Sequence, residues 1–336
     1  MTRTETTMPS EVAGTPTLAD VAALAGVSPA TVSRVINGSA RVSQRARTQV
    51  ERAIDRLGYV RDRAVPHGRS IALVICDADG RVFTDDSLAR LLGGVRRALG
   101  DERELVVMIT GRTDHRSTVP SYLRGGRADG VLLLSAYDAP CASLLPAGLP
   151  ALLCGRPLWT TPLPYVGADD HGGARAAVDY LARSGRREIG TIAGPPDQAT
   201  GVDRLAGYRS AMAEMGAQTS GLITYGDLHQ ASGEHAMNRL LDRHPDIDAV
   251  LAASDQMAVG ALRALYRTGR RVPDDVAVVG FDDAPIAGRV RPRLTTVRRP
   301  IEEMGARLAR ELLRRITGAP DRNVVLDTEL IIRDSA

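Results

Sequence analysis

In the first sixty residues apolar positions recur at helical spacing in three short bursts, each followed by a glycine. Leu18, Val21, Ala22 and Ala25 share one face before Gly26; Val32, Val35 and Ile36 precede Asn37-Gly38; Val50, Ala53, Ile54 and Leu57 precede Gly58. Each burst has a start signal. Thr17-Leu18-Ala19-Asp20 reads as a capping box, with Thr17 accepting from an early backbone N–H and Asp20 near the positive helix end. Ser28 caps the second helix with Pro29 at its first position, and the third starts at Ser43. Gly26 supplies the left-handed residue for a tight turn, after which Val27 drops into the core. Three short helices around one small core are predicted, in a helix-turn-helix arrangement.

From Ile71 the pattern changes to apolar runs of strand length alternating with amphipathic stretches, as in parallel sheets flanked by helices. Strands are expected at 71–77, 105–109, 130–135, 151–154, 189–194, 222–225, 249–254 and 276–281, with helices at 87–99, 172–184, 204–215 and 256–268. Near-continuous hydrophobicity in the strands indicates burial on both faces. The length fits two doubly wound lobes. In such sheets ligands bind beyond the strand carboxyl ends, where Asp77, Ser135, Asp227, Ser254, Asp255, Asp282 and Asp283 fall, with Phe83 and Arg204 in the following loops or helix starts. Carboxylates and an arginine fork suit neighbouring hydroxyls or a small anion; the local alternative is that such aspartates only cap the next helix.

Composition narrows the class. Apolar residues at 43% and charged residues at 25% place the chain among globular proteins, and no run reaches the roughly 20 apolar residues of a membrane span. Residues 1–16 have no apolar run of the secretory kind and are expected to be a disordered lead-in; Cys76, Cys141 and Cys154 cannot all pair, which suits the cytoplasm. Residues 1–70 hold ten Arg against six Asp and Glu, a surplus of +4, whereas the remainder has 33 against 34. That surplus sits where phosphates would be approached. On the second helix Pro29, Ala30, Ser33 and Arg34 face outward, and Arg34 can donate twice to a guanine edge while Ala30 offers a methyl to thymine. Ser28, Thr31, Ser33, Asn37 and Ser43 are short groups suited to phosphate oxygens.

Residues 17–59, TLADVAALAGVSPATVSRVINGSARVSQRARTQVERAIDRLGY, closely resemble the LacI/GalR family of bacterial regulators. The resemblance resumes in VGADDHGGARAAVDYL, IAGPPDQATGVDRLAGYRSAM, VLAASDQMAVGALRALYRTGRRVPDDVAVVGFDD and RPRLTTVRRPIEEMG. It implies a DNA-binding headpiece at 17–59 used in pairs on a near-palindromic operator. Pro29, Ala30 and Arg34 would be base readers, and Thr17, Ser28, Thr31, Ser33, Asn37 and Ser43 backbone contacts. It further implies a core at 71–336 resembling periplasmic sugar-binding proteins, with lobe one at about 71–186 and 297–320 and lobe two at about 187–296 and 321–333. The implied effector contacts are Arg204, Ser254, Asp255 and Asp282, beside Phe83. Two departures stand out. The linker at 60–70 is shorter than the family's hinge helix and lacks its leucine, so either Val65 with Pro66 serves as the minor-groove wedge or the segment is a plain linker. Gly226-Asp227 is followed by Leu228 where many members carry a stacking aromatic, in a chain only 3% aromatic.

The expected function is a sequence-specific transcription regulator, a repressor in its commonest form, whose affinity for double-stranded operator DNA is set by a small molecule such as a carbohydrate. A homodimer is expected, since no leucine heptad trails the last strand. Nucleophile-elbow, phosphate-loop and dinucleotide motifs are missing, which argues against an enzyme or a cofactor. His229 and His235, six apart, do not share a helix face for a metal and are read as surface residues.

Overall fold

The computed structural model describes residues 16–36, 42–57, 70–76, 87–110, 118–135 and 144–336. The expected roles of Asn37, Val65, Phe83 and Asp77 lie outside the described residues. The chain divides into two compact units, residues 1–65 and 66–336.

In the first unit α1 (Leu18–Ala25), α2 (Pro29–Ile36) and α3 (Gln44–Leu57) enclose Val21, Ala22, Ala25, Val32, Val35, Val50 and Ala53, with Val27 packed against them. The starts follow the predicted chemistry. Thr17 Oγ1 accepts from the Asp20 amide at 3.3 Å and the Thr17 amide donates to Asp20 Oδ2 at 2.7 Å, closing a full capping box. Those bonds hold the Asp20 carboxyl below its usual range. Gly26, at φ 64°, ends α1 in the left-handed conformation that a side chain would oppose.

The second unit holds two six-stranded sheets. The first has the order β11-β5-β4-β3-β1-β2, from β1 (Ser70–Cys76), β2 (Glu104–Thr110), β3 (Gly130–Leu134), β4 (Ala151–Cys154), β5 (Tyr165–Ala168) and β11 (Val324–Leu326), all parallel. The other has the order β12-β10-β9-β8-β6-β7, from β6 (Ile189–Ala193), β7 (Ile223–Tyr225), β8 (Ala249–Ala252), β9 (Ala277–Asp282), β10 (Thr295–Arg298) and β12 (Glu329–Ile331); only β12 runs antiparallel. Their central strands are apolar and buried along their whole length, as parallel sheets covered on both faces require. Helices α4 (Ser87–Leu99), α5 (Thr118–Arg124) and α10 (Ile301–Ile316) join the first sheet's lobe; α6 (Asp170–Arg183), α7 (Ala199–Glu214), α8 (Gln230–Arg243) and α9 (Asp255–Arg267) join the other.

Two lobe borders differ from the expected ones. The first crossing falls at Asp169, before α6 rather than after residue 186, because the apolar stripe Ala174, Ala177, Val178 and Leu181 is buried with Ile189, Tyr208 and Phe281 of the second lobe. Residues 324–326 were expected in the second lobe, yet they pair with β5 and so belong to the first; the crossing follows at 327–328. The middle crossing lies at 299–300, after β10 has closed on β9. The first and third are hydrogen-bonded to each other, the Asp169 amide donating to Leu326 O at 2.9 Å and Thr328 Oγ1 to Asp169 O at 3.2 Å, and Arg299 on the middle crossing reaches Asp170 beside the first at 3.3 Å.

Candidate functional site

On the first unit, the residues expected to read bases, Pro29, Ala30 and Arg34, are exposed on α2. Ser28 Oγ accepts from the Thr31 amide at 3.2 Å and Ser43 Oγ from the Ala46 amide at 3.3 Å, so both serve as caps. A capping hydroxyl uses a lone pair and can still donate. The Thr17 hydroxyl, by contrast, gives its hydrogen to Asp20 Oδ2 at 2.7 Å, which commits it to the box.

In the second unit a cavity of about 750 Å³ opens between the lobes at the carboxyl ends of both sets of strands. Leu88 and Leu91 of α4 and Ile301 and Met304 of α10, packed in one cluster, give it an apolar wall, and Tyr165 also lines it. Polar groups line the rest. Among the described residues, seven aspartates (169, 170, 197, 203, 227, 255 and 282) line the space against three arginines (156, 204 and 299), so the described lining is formally acidic.

At its floor Arg204 of α7 is almost wholly buried and reaches three acceptors. Its Nε donates to Asp170 Oδ1 at 2.9 Å, Nη2 to Asp282 Oδ1 at 2.8 Å, and Nη1 to Ala253 O. The guanidinium carbon lies 3.8 Å from the Phe281 ring centroid. Burial alone would lower the Arg204 pKa, but the Asp282 and Asp170 charges outweigh it, so the pKa is raised. Arg299, on the middle crossing, adds a second cation 3.3 Å from Asp170 and 3.7 Å from Asp282. Two carboxylates and two guanidiniums therefore balance in a buried cluster of the second lobe, beside the first and middle crossings. Burial pushes the adjacent Cys154 thiol up to about 11, against the pull of Arg299, which leaves it protonated and unreactive at neutral pH.

The expected ligand residues separate into two kinds. Asp282, 16% exposed, presents a carboxylate edge to the cavity while Arg204 holds its other side. Ser254 and Asp255 line the same wall but are spent internally. Ser254 Oγ caps α9 through the Met257 amide at 3.1 Å and donates to Leu228 O at 3.1 Å. Both Asp255 oxygens are already hydrogen-bonded within the protein. Asp283 faces away, held by Arg298 at 2.8 Å and Arg333 at 2.6 Å, which pull its carboxyl below the usual range although burial opposes them. His229, read as a surface residue, stands at the cap of α8 on the cavity wall, with Nδ1 3.2 Å from Asp227 Oδ1.

Sequence reasoning missed Asp170, Arg299 and the pair Arg156–Asp203. Asp170 and Arg299 adjoin β5 (Tyr165–Ala168) and β10 (Thr295–Arg298), where Gly167 and the two threonines break up the apolar run. Arg156, in the loop after β4, meets Asp203 of α7 with Nη2 to Oδ1 at 2.6 Å and Nε to Oδ2 at 3.0 Å, a two-point bridge from lobe to lobe at the cavity wall. Only folding brings these residues together.

Comparisons with known proteins agree on both units. Residues 17–62 match the model of bacterial regulatory proteins of the lacI family, and 178–336 match the periplasmic binding protein-like domain. The HTH-type transcriptional regulator CelR of Thermobifida fusca is 46% identical over 333 residues, spanning 95% of this chain and 98% of the relative. A solved structure of a transcriptional regulator CelR–cellobiose complex is 45% identical, with a TM-score of 0.75 over 96% of this chain and all of that one. The lac repressor dimer bound to operator and the anti-inducer ONPF is 27% identical, with a TM-score of 0.72 over 96% and 99%.

Proposed function

Since the chain belongs to the lacI family of bacterial regulatory proteins, a family of DNA-binding transcription regulators, we propose that it is a repressor acting as a homodimer on operator DNA in the cytoplasm and governed by a neutral disaccharide of the cellobiose type. The observation that carries the ligand class is the cavity itself: about 750 Å³, with an apolar wall and, among the described residues, seven aspartates against three arginines. A pyranose has apolar ring faces and a rim of hydroxyls, which suits carboxylate acceptors alongside aliphatic side chains. A sugar phosphate would meet an acidic lining. The full-length likeness to a cellobiose-bound regulator supports the same class, and Tyr165 is an aromatic residue on the lining. No catalytic role is read into the cleft, because Arg204 and Arg299 engage the Asp170 and Asp282 carboxylates that acid–base chemistry would need free.

Titration of the operator complex with cellobiose, glucose and glucose 6-phosphate tests this reading. Cellobiose is expected to bind and to change operator affinity. A response to the phosphate ester alone would sink it.

On the headpiece side, Pro29, Ala30 and Arg34 are taken as base readers, with Ser28, Thr31, Ser33, Asn37 and Ser43 along the backbone; Thr17, whose amide and hydroxyl both go to Asp20, is taken as a cap instead. Arg34→Ala is expected to lose about 1–3 kcal/mol of discrimination between operator and random duplex. Competition binding at fixed salt reads this, and equal losses on both duplexes would reassign Arg34 to phosphate.

The Arg156–Asp203 bridge favours the lobe arrangement in which it forms. Both side chains are partly exposed, so its contribution is capped at about 1 kcal/mol. Arg156→Ala is expected to weaken cellobiose binding by up to about fivefold at low salt, with the difference shrinking as salt screens the pair. Calorimetry at two ionic strengths distinguishes this from loss of a direct contact, which salt would leave in place.

A further inference from the structure

Asp282 and Asp283 are consecutive non-glycine residues at φ 101° and 50°, both in the left-handed region that L-residues avoid. A turn of that kind persists only where its surroundings over-determine it. The outer side is fixed by arginines, Arg204 on Asp282 and Arg298 with Arg333 on Asp283. Arg90 of α4 also donates from Nη1 to Asp283 O at 3.4 Å, and Arg299 lies 3.7 Å from Asp282, while a further residue ties the end of the turn to the neighbouring strand. Asp255 Oδ2 accepts from the Ala284 amide at 2.6 Å, immediately after the turn, and Oδ1 accepts from Thr296 Oγ1 at 2.5 Å, on the neighbouring strand β10. We infer that Asp255 is the positioning residue that holds the Asp282–Asp283 turn in the conformation presenting the Asp282 carboxylate to the cleft. Its consequence for ligand binding rests on the reading of Asp282 as a ligand contact; the positioning itself does not.

Three further features agree. Asp255 is 1% exposed, so a ligand hydroxyl cannot reach its oxygens, both of which are already engaged. The strand beneath it carries Gly280, where a Cβ would stand 2.2 Å from Asp255 Oδ1; the carboxylate occupies the space a side chain on β9 would fill. Asp255 is also the first residue of α9, where the helix N-terminus favours negative charge. The cost is visible in its proton affinity. Burial raises the Asp255 pKa well above the usual value, the Asp282 and Asp283 charges raise it further, and the Thr296 and Ala284 donors pull it back only in part. A buried carboxylate kept at that cost, with both oxygens aimed at the two sides of one turn, is doing a local job.

The experiment is hydrogen exchange of the full chain, read on peptides covering 277–287, with cellobiose affinity measured in parallel. Asp255→Ala is expected to speed exchange around Ala284 by about tenfold or more while leaving peptides from the first sheet and from 17–57 unchanged. Asp255→Asn, whose carboxamide oxygen still accepts from the Ala284 amide, is expected to stay within about threefold of the parent, and cellobiose affinity is expected to fall in the same order. Unchanged exchange in the alanine variant, or an increase spread over the whole second lobe, overturns the inference. Should that variant fail to fold, the isosteric Thr296→Val removes one of the two donors, and the absence of any local acceleration there overturns it equally. If the parent protein takes no cellobiose, the disaccharide reading fails alone, and exchange still decides the role of Asp255.

Discussion

Asp282→Asn is expected to weaken ligand binding at least tenfold, by about 1.5–3 kcal/mol, and to silence the ligand response, while ligand-free operator affinity stays near that of the parent. The substitution keeps the shape of the side chain and changes two things. It removes one of the two carboxylates that balance Arg204 and Arg299. It also turns one acceptor into an amide donor, which must point either at the Arg204 fork or into the cavity where a sugar hydroxyl would donate. Operator affinity should be spared because the headpiece is a separate compact unit with its own core. Calorimetry with cellobiose and operator binding with and without it supply the two readouts. A variant that responded as the parent does would place the ligand elsewhere.

Arg204→Ala is expected to destabilise the core by about 3–5 kcal/mol, the largest single effect predicted for this chain. Removing the guanidinium leaves Asp170 and Asp282 facing each other in a buried site with only Arg299 between them. It also strands Ala253 O without its donor and uncovers the Phe281 ring. Arg204→Lys should recover little, since one ammonium cannot serve Asp170, Asp282 and Ala253 O from a fixed fork. Urea unfolding followed by far-ultraviolet dichroism of the full chain measures this; a loss under about 1 kcal/mol would mean the cluster is not what holds the cleft floor. Arg204 had looked from the sequence like a ligand contact, and its geometry gives it a prior task as the clamp on Asp282.

The headpiece was legible because its signals are local. Thr17 with Asp20, Gly26, Ser28 with Pro29 and Ser43 specify helix ends within three or four residues of themselves. The predicted strands include the central ones with unbroken buried apolar runs, such as Ile71–Cys76 and Ala249–Ala252. Four strands escaped prediction: β5, β10, β11 and β12 lie at or near the sheet edges, have no more than three consecutive apolar residues, and draw their identity from the partner strand rather than from composition. Helix α7 begins at Ala199, five residues before the expected start at Arg204, and at Gly201 it passes close over Pro195. The cleft was half legible. Position after a strand pointed to Asp282, Ser254 and Asp255 alike. What separates the partly exposed Asp282 carboxylate from the two spent residues is the company each keeps across 26 to 78 residues of chain, which spacing does not encode.

The three neighbouring crossings between the lobes, two joined by hydrogen bonds and the third by the Arg299–Asp170 ion pair, carry a mechanical consequence. Two bodies joined by one strand can swivel in any sense, but bodies joined at three neighbouring points retain essentially one degree of freedom, rotation about the line through those points. With the Asp169 amide bonded to Leu326 O and its carbonyl to the Thr328 hydroxyl, sliding and twisting would break hydrogen bonds that a simple rotation preserves. A molecule lodged off that axis therefore acts through leverage, and a methyl-sized difference in its girth is converted into an angle.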